Sequence, residues 1–439
     1  MIFLEKISPK STFKRFPMLI KFLFENFLSF KKTAIVDLEA VSIRELPENT
    51  HSVTNTSIPF KILKSAAIYG ANASGKSNIL KAFLFFRNFL LFQTSRLQNV
   101  KLAPYKLDPE YETKPSLFEV TILIENTKYR YGFALTEKMI LSEWLYATEK
   151  RKEELVFKRD GQEFQIDKRL KQESEGAIQM LTKIIKPDVL FLSHLGNFKS
   201  ITAQSILDWV QKSILILDSN SQQLLNYTAT LLETTFYKRR ITDIIHASDL
   251  GFSSVEPEIK ELATKPGYDA GFIAALFEAD LKEYRIRTRH SKHSHQKLSG
   301  YTFFDLRENE SLGSQKFVIL LGPLLKVLKD GGLIWIDELD SRIHTNLLLA
   351  ILRFFNSPLN NPLGAQLIYT AHNTAILEKD LRRDQMIFVK RTQYDGSVLT
   401  TLHNWDNKIR SDASFDKDYL KGKYGAVPKI DLSPDLFDD

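Results

Sequence analysis

Residues 69–80, "YGANASGKSNIL", decide the fold. Gly70 and Gly75 bracket four residues and lead directly into Lys76 and Ser77, which is the full G-x-x-x-x-G-K-[ST] spacing of a P-loop. The residues just before it, 65–69, are short and apolar, as a buried strand is. After it, Ile79, Ala82, Phe83, Phe86, Phe89 and Leu90 recur at helical spacing on one face. A strand, a glycine-lined turn and a helix in that order turn backbone N–H groups toward phosphate oxygens and add the positive end of the helix dipole. Gly70, Ala71, Asn72, Ala73, Ser74, Gly75, Lys76, Ser77 and Asn78 are therefore the expected nucleotide-binding residues. Lys76 is expected on the outer phosphates and the Ser77 hydroxyl on Mg²⁺.

Three later stretches supply what a P-loop lacks. In "LIWIDE", 333–338, four apolar residues predict a buried strand whose end carries Asp337, placed to hold the Mg²⁺ shell. Glu338 follows, where a carboxylate polarises water for attack on a γ-phosphate. "QLIYTAH" ends the next predicted strand with His372, a second candidate catalytic residue that would orient that water. "ESLGSQ", 310–315, opens a long predicted helix with Ser311, Gly313 and Gln315. Such a turn is a second anion site. One nucleotide in one subunit does not need it, but two subunits related by a two-fold axis would each offer their turn to the other's γ-phosphate. The competing reading is a plain serine N-cap.

Taken in order, the P-loop, Ser-x-Gly turn, apolar-Asp-Glu and strand-end His resemble the ABC-type ATPase heads of the SMC and RecF class. "FENFLSFKK" resembles the start of those heads, where the first turn lies near the nucleotide base. By position this implies Asn26, Ser29 and Phe30 as base-proximal residues. Within the class, "RRDQMIFVKR" and "DYLKGKYGAVP" are similar to the carboxyl-terminal region of the short AAA-type ATPases of bacterial phage defence, the RloA and AbiL sort. The resemblance implies ATP and Mg²⁺ as cofactors, ATP hydrolysis, and a homodimer or higher homo-oligomer formed through ATP. Leu312 stands where the signature turn of such heads carries a second glycine, and His344 where an aspartate is common. No glutamine is assigned to the loop that usually joins the two lobes.

The fold class expected is α/β: a P-loop NTPase of the ABC-head type, a mixed sheet with flanking helices, plus a mostly helical insert. The organisation expected is a basic tail at 1–17, a first ATPase lobe at 18–165, the insert at 166–275, a second lobe at 276–403 and a carboxyl-terminal segment at 404–439. Within the first lobe, 117–165 alternate as an antiparallel sheet. Apolar strands alternating with helices in the second lobe imply a parallel sheet covered on both faces.

Composition narrows the function. There is no cysteine, which excludes disulfides and thiolate metal sites and fits a cytoplasmic setting. The longest apolar run, 317–328, is broken by Lys326 and is too short to span a bilayer, so no membrane partner is expected. A net charge of +7 permits nucleic-acid contact. "RHSKHSH" at 289–295 predicts a solvated basic hairpin tip, and the basic runs 238–240 and 382–384 are expected at the surface. Long coiled-coil arms and a carboxyl-terminal nuclease domain are both missing, so the output is expected to pass to a separately encoded effector, a nuclease or toxin. That effector would dock on the insert or after His372. Two other readings stay open: a RecF-like DNA-binding repair ATPase, and a scaffold or toxin–antitoxin protein with a structural nucleotide.

Overall fold

The computed structural model describes residues 17–427 apart from 55, 57, 93–100, 199, 261–282, 378–379 and 405–413. The expected basic tail, much of the carboxyl-terminal segment and the end of the insert thus lie outside the described residues.

Two sheets organise the fold. The first has seven strands in the order β10-β9-β8-β7-β6-β1-β2. These are β1 (Met18–Glu25), β2 (Ala34–Asp37), β6 (Ser116–Ile124), β7 (Thr127–Leu135), β8 (Ile140–Thr148), β9 (Glu154–Asp160) and β10 (Glu163–Ile166). All its pairings are antiparallel, as the alternation over 117–165 predicts. The second has six strands in the order β11-β15-β16-β5-β17-β18. They are β5 (Ser65–Gly70), β11 (Ile214–Ile216), β15 (Leu333–Ile336), β16 (Gln366–Thr370), β17 (Met386–Thr392) and β18 (Gly396–Thr401). Its first five strands run parallel and β18 returns antiparallel. A short pair, β3 (Thr50–Val53) with β4 (Phe60–Leu63), and a three-stranded sheet of β12 (Ser254–Lys260), β13 (Glu283–Ser294) and β14 (Lys297–Asp305) complete the strands.

The parallel sheet is buried on both faces, which is why its strands look uniformly apolar in sequence. Ala66, Ile68, Trp335, Ile368, Ile387 and Val389 join the core shared with the antiparallel sheet and the P-loop helix (Lys76–Leu91). Their neighbours Ala67, Tyr69, Ile334, Ile336, Leu367, Tyr369 and Phe388 join a second core on the far side. Trp335 stacks on Phe83 of the P-loop helix at 4.9 Å, and Phe22 meets Phe83 edge-on at 5.3 Å. The strand that delivers Asp337 is thereby locked to the helix that begins with Lys76. Gln366 ties the sheets together, since its side-chain oxygen accepts from the Leu19 amide at 2.7 Å and its amide donates to the Leu19 carbonyl at 2.9 Å.

The structure departs from the sequence reading at three places. The segment 166–275 is largely helical, but it also supplies β11, which pairs in parallel with β15, and β12. Three apolar residues in a helical context are too few for periodicity to mark as a strand. The run 382–384 is not at the surface: Arg382 and Asp384 are buried and paired. Arg382 also donates to the Glu45 and Val41 carbonyls, at 2.7 and 3.0 Å, so the buried charges are satisfied. "RHSKHSH" is exposed from Ser291 onward at a hairpin tip, as expected, but strand β13 runs on to Ser294 and His290 is partly buried against Glu310.

The helix that Ser311 caps (Leu312–Asp330) carries Pro323 in its interior. Proline has no N–H to give the Ile319 carbonyl one turn back. The Thr228 hydroxyl, from the helix Gln222–Leu232, donates to that carbonyl instead. Thr228→Val keeps the shape and leaves a buried carbonyl unpaired. It is expected to lower stability by about 1–3 kcal/mol, read from denaturant unfolding. An unchanged midpoint would show that Ile319 does not need this partner.

Candidate nucleotide-binding site

The sheet order brings the distant motifs to one edge. β16 lies between β5 and β15, so the P-loop, the strand end at His372 and the Asp337-Glu338 pair leave the carboxyl ends of three adjacent parallel strands. Ligands of open parallel sheets bind at that edge.

The P-loop has the backbone its sequence requires. Gly75 has φ +110°, and a Cβ there would lie 2.4 Å from Ser397 Oγ and 2.7 Å from Ser29 Oγ. The Lys76 ammonium donates to the Gly70 and Ala71 carbonyls at 2.7 and 3.1 Å. These are the loop's own oxygens, and an entering phosphate would compete for the same donors. Burial lowers the Lys76 pKa, while Asp337, Glu338 and Asp340 pull it the other way. The sheet order sets these carboxylates, far along the chain, at the same edge as the lysine. The Ser74 hydroxyl is buried without a partner, a polar atom left over in the cradle.

One threonine orients both acidic residues. Thr370 Oγ1 donates to Asp337 Oδ1 at 2.6 Å and accepts from the Glu338 amide at 2.7 Å. Glu338 is exposed and has φ +47°, a sparsely populated conformation that surrounding contacts must hold. The Lys316 ammonium supplies one such contact, donating to the Glu338 carbonyl at 2.5 Å and the Ser341 carbonyl at 3.0 Å. Burial pushes the Lys316 ammonium down to about 8, against the pull of Asp340 and Glu338. Asp340 Oδ2 accepts from the His372 and Asn373 amides at 2.6 and 2.5 Å, which sets the backbone from which the exposed His372 side chain projects.

Ser77 and Asp337 form a hard-oxygen donor set of the kind Mg²⁺ takes. No group of three or more His, Asp or Glu side chains forms a metal cage among the described residues. A cation held by the Ser77 hydroxyl and the Asp337 carboxylate would complete its shell with waters and nucleotide phosphates, as Mg²⁺ does.

The signature turn is partly open and partly committed. Ser311 is exposed, and its hydroxyl accepts from the Ser314 amide at 3.1 Å, which is N-cap geometry. Gly313 lies against the segment after Glu338, where an added Cβ would be 2.3 Å from the Arg342 carbonyl. Gln315 points inward, donating to the Arg307 and Glu310 carbonyls at 3.1 and 2.8 Å, so it braces the turn from inside.

Of the three base-proximal candidates only Ser29 reaches the P-loop. It accepts from Asn78 at 2.8 Å and lies 2.8 Å from Ser397 Oγ, which donates to the Ser74 carbonyl at 2.5 Å. Asn26 is fully buried and holds the 105–114 segment through Tyr105, Tyr111 and Lys114. Phe30 is core, edge-on to Phe24 at 4.9 Å. Sequence reasoning missed Thr370, Asp340, Lys316 and Ser397. Each is an ordinary residue type whose role exists only through a contact with another segment.

Lys316 should matter for turnover more than for binding. Lys316→Met removes the donor that holds the Glu338 backbone and is expected to slow turnover about 10–100-fold, with nucleotide affinity retained. Equal losses in KM and kcat would argue against a positioning role.

Fold and site together define a P-loop nucleotide-binding protein. The family model described as "AAA domain, putative AbiEii toxin, Type IV TA system" matches residues 65–378, and the chain belongs to that family. No curated protein matches the chain. Among solved structures, the SMC head domain from Thermotoga maritima is similar at 13% identity over 87% of this chain and 98% of that one, with a TM-score of 0.37. The fold assignment does not rest on that likeness.

Proposed function

We propose that the protein is an ABC-type switch ATPase: it binds ATP with Mg²⁺, hydrolyses it through Glu338 and His372, and associates through the bound nucleotide. The observation that carries the reading is the convergence of Lys76, Asp337 and Glu338 at the ends of neighbouring parallel strands. Ser77 and Asp337 would hold the Mg²⁺, which supplies charge neutralisation at the β- and γ-phosphates. Association is supported by the exposed Ser311 and the half-exposed Leu312 at the start of a helix that is otherwise largely buried. Gly313 and Lys316 tie that turn to the Glu338 segment, so a partner's phosphate at Ser311 would act on the catalytic backbone.

The biological setting is proposed as phage defence of the RloA or AbiL sort, with a separate effector docking on residues 166–275 or after His372. Among the described residues no helix is long and apolar enough to cross a membrane. The test is turnover as a function of protein concentration. Wild type should show specific activity rising with concentration, and Ser311→Arg should bind ATP normally but lose at least tenfold in turnover. Concentration-independent turnover, unaffected in Ser311→Arg, would contradict the composite site. Intact ATP after long incubation of the wild type would favour a structural nucleotide.

A further inference from the structure

Among the described residues, the sheet of β12, β13 and β14 leaves one face open. Register sets Arg287 opposite Asp305, Arg289 opposite Phe303 and Ser291 opposite Tyr301, so these side chains share a face. Tyr284, Ile286 and Thr288 are buried on the other. On the open face each arginine lies diagonally over a ring. The Arg289 guanidinium is 3.6 Å from the centre of Tyr301, and that of Arg287 is 5.1 Å from Phe303. Both rings stay accessible, Tyr301 at 46% and Phe303 at 41%. The exposed Arg285 extends the row, whose members stand about 7 Å apart along the strand. Toward the tip residues 289–304 hold no Asp or Glu; Arg289 lies on this face, and Lys292 and Lys297 lie on the alternate one. Nearer the base the face is mixed: Glu258 lies opposite Arg285 and 3.7 Å from Arg287, and Glu256 and Asp305 flank Arg287.

An acidic peptide or an anionic lipid surface would use the charge and leave the flat rings without a role. A single strand of nucleic acid uses both. Its phosphates meet the cations, and its unpaired bases stack on aromatic rings and guanidinium planes. A duplex hides those base faces in its own stack. We infer that the open face of β13 and β14 binds single-stranded nucleic acid, with Arg285 and Arg289 taking phosphates and Tyr301 and Phe303 taking bases.

The face connects to the signature turn. Thr288 donates to Glu310 Oε1 at 2.6 Å, and His290 Nε2 lies 2.7 Å from the same oxygen. Glu310 immediately precedes Ser311, and its carbonyl accepts from Gln315. A strand bound across β13 therefore acts on the residue that sets the Ser311 turn.

Fluorescence anisotropy of a labelled oligothymidylate with the purified chain tests the binding. The oligonucleotide should bind more tightly than a duplex of equal length. Tyr301→Ala/Phe303→Ala should weaken it about tenfold or more without moving the unfolding midpoint. Arg289→Gln should weaken it and reduce its salt dependence. If the double aromatic variant misfolds, Arg285→Gln/Arg289→Gln at the exposed row gives the same reading. Absence of binding, wild-type affinity in these variants, or equal binding of duplex or phosphatidylserine vesicles would overturn the inference. Glu310→Gln should keep oligonucleotide affinity and abolish any change of ATP turnover on adding the oligonucleotide. A change that persists would overturn the connection. This last arm rests on the ATPase reading and the anisotropy does not, so the two fail separately.

Discussion

Glu338→Gln is expected to reduce ATP turnover by about 10²–10⁴ while ATP stays bound, because it removes the proposed general base and keeps its shape. The side chain leaves an exposed position at the end of a buried strand, where water has access. The backbone beneath it is held from both sides, by the Thr370 hydroxyl on its amide and by Lys316 on its carbonyl. None of those contacts uses the carboxylate, so the amide should sit where the acid sat. Asp337 keeps its bond from Thr370 and remains free to meet the cation's shell. Single-turnover hydrolysis measures the effect, and wild-type rates in the variant would show that another group activates the water.

Lys76→Ala acts one step earlier. Its ammonium is buried at the P-loop and already bonded to two loop carbonyls, so its position is set before a phosphate arrives. Each charged hydrogen bond to phosphate contributes about 1.5–3 kcal/mol. Loss of the lysine should weaken ATP binding by roughly 10–100-fold or more. The rise in unfolding temperature that saturating ATP gives the wild type should then largely vanish at the same concentration. A variant with the full nucleotide-dependent rise would place the phosphates elsewhere.

Much of this site was legible in the chain because its parts are local. The P-loop is a contiguous spacing with a backbone requirement, and Gly75 adopts the conformation that spacing demands. The parallel strands were legible because burial on both faces makes them uniformly apolar, as Leu333–Ile336 is. Residues that act across segments were not legible. Thr370 looks like any strand threonine until Asp337 and Glu338 arrive beside it. Lys316 looks like a surface lysine in a helix, and its burial follows from the close approach that Gly313 permits. Asn26 and Phe30 sit at the right place in the first turn, yet packing faces them inward and leaves Ser29 at the loop. Arg382 and Asp384 look like a surface charge run because their other partners, the Val41 and Glu45 carbonyls for Arg382 and the Val41 amide for Asp384, lie far away in sequence.

We propose that ATP joins two copies of this chain by bridging one copy's P-loop to the other's Ser311 turn. Sedimentation of Glu338→Gln with and without ATP and Mg²⁺ is the decisive measurement, since that variant should hold the nucleotide without consuming it. A shift from a smaller to a larger species is expected on adding ATP, lost when Ser311→Arg is introduced into the same chain. An identical mass with and without bound ATP would rule out the bridge.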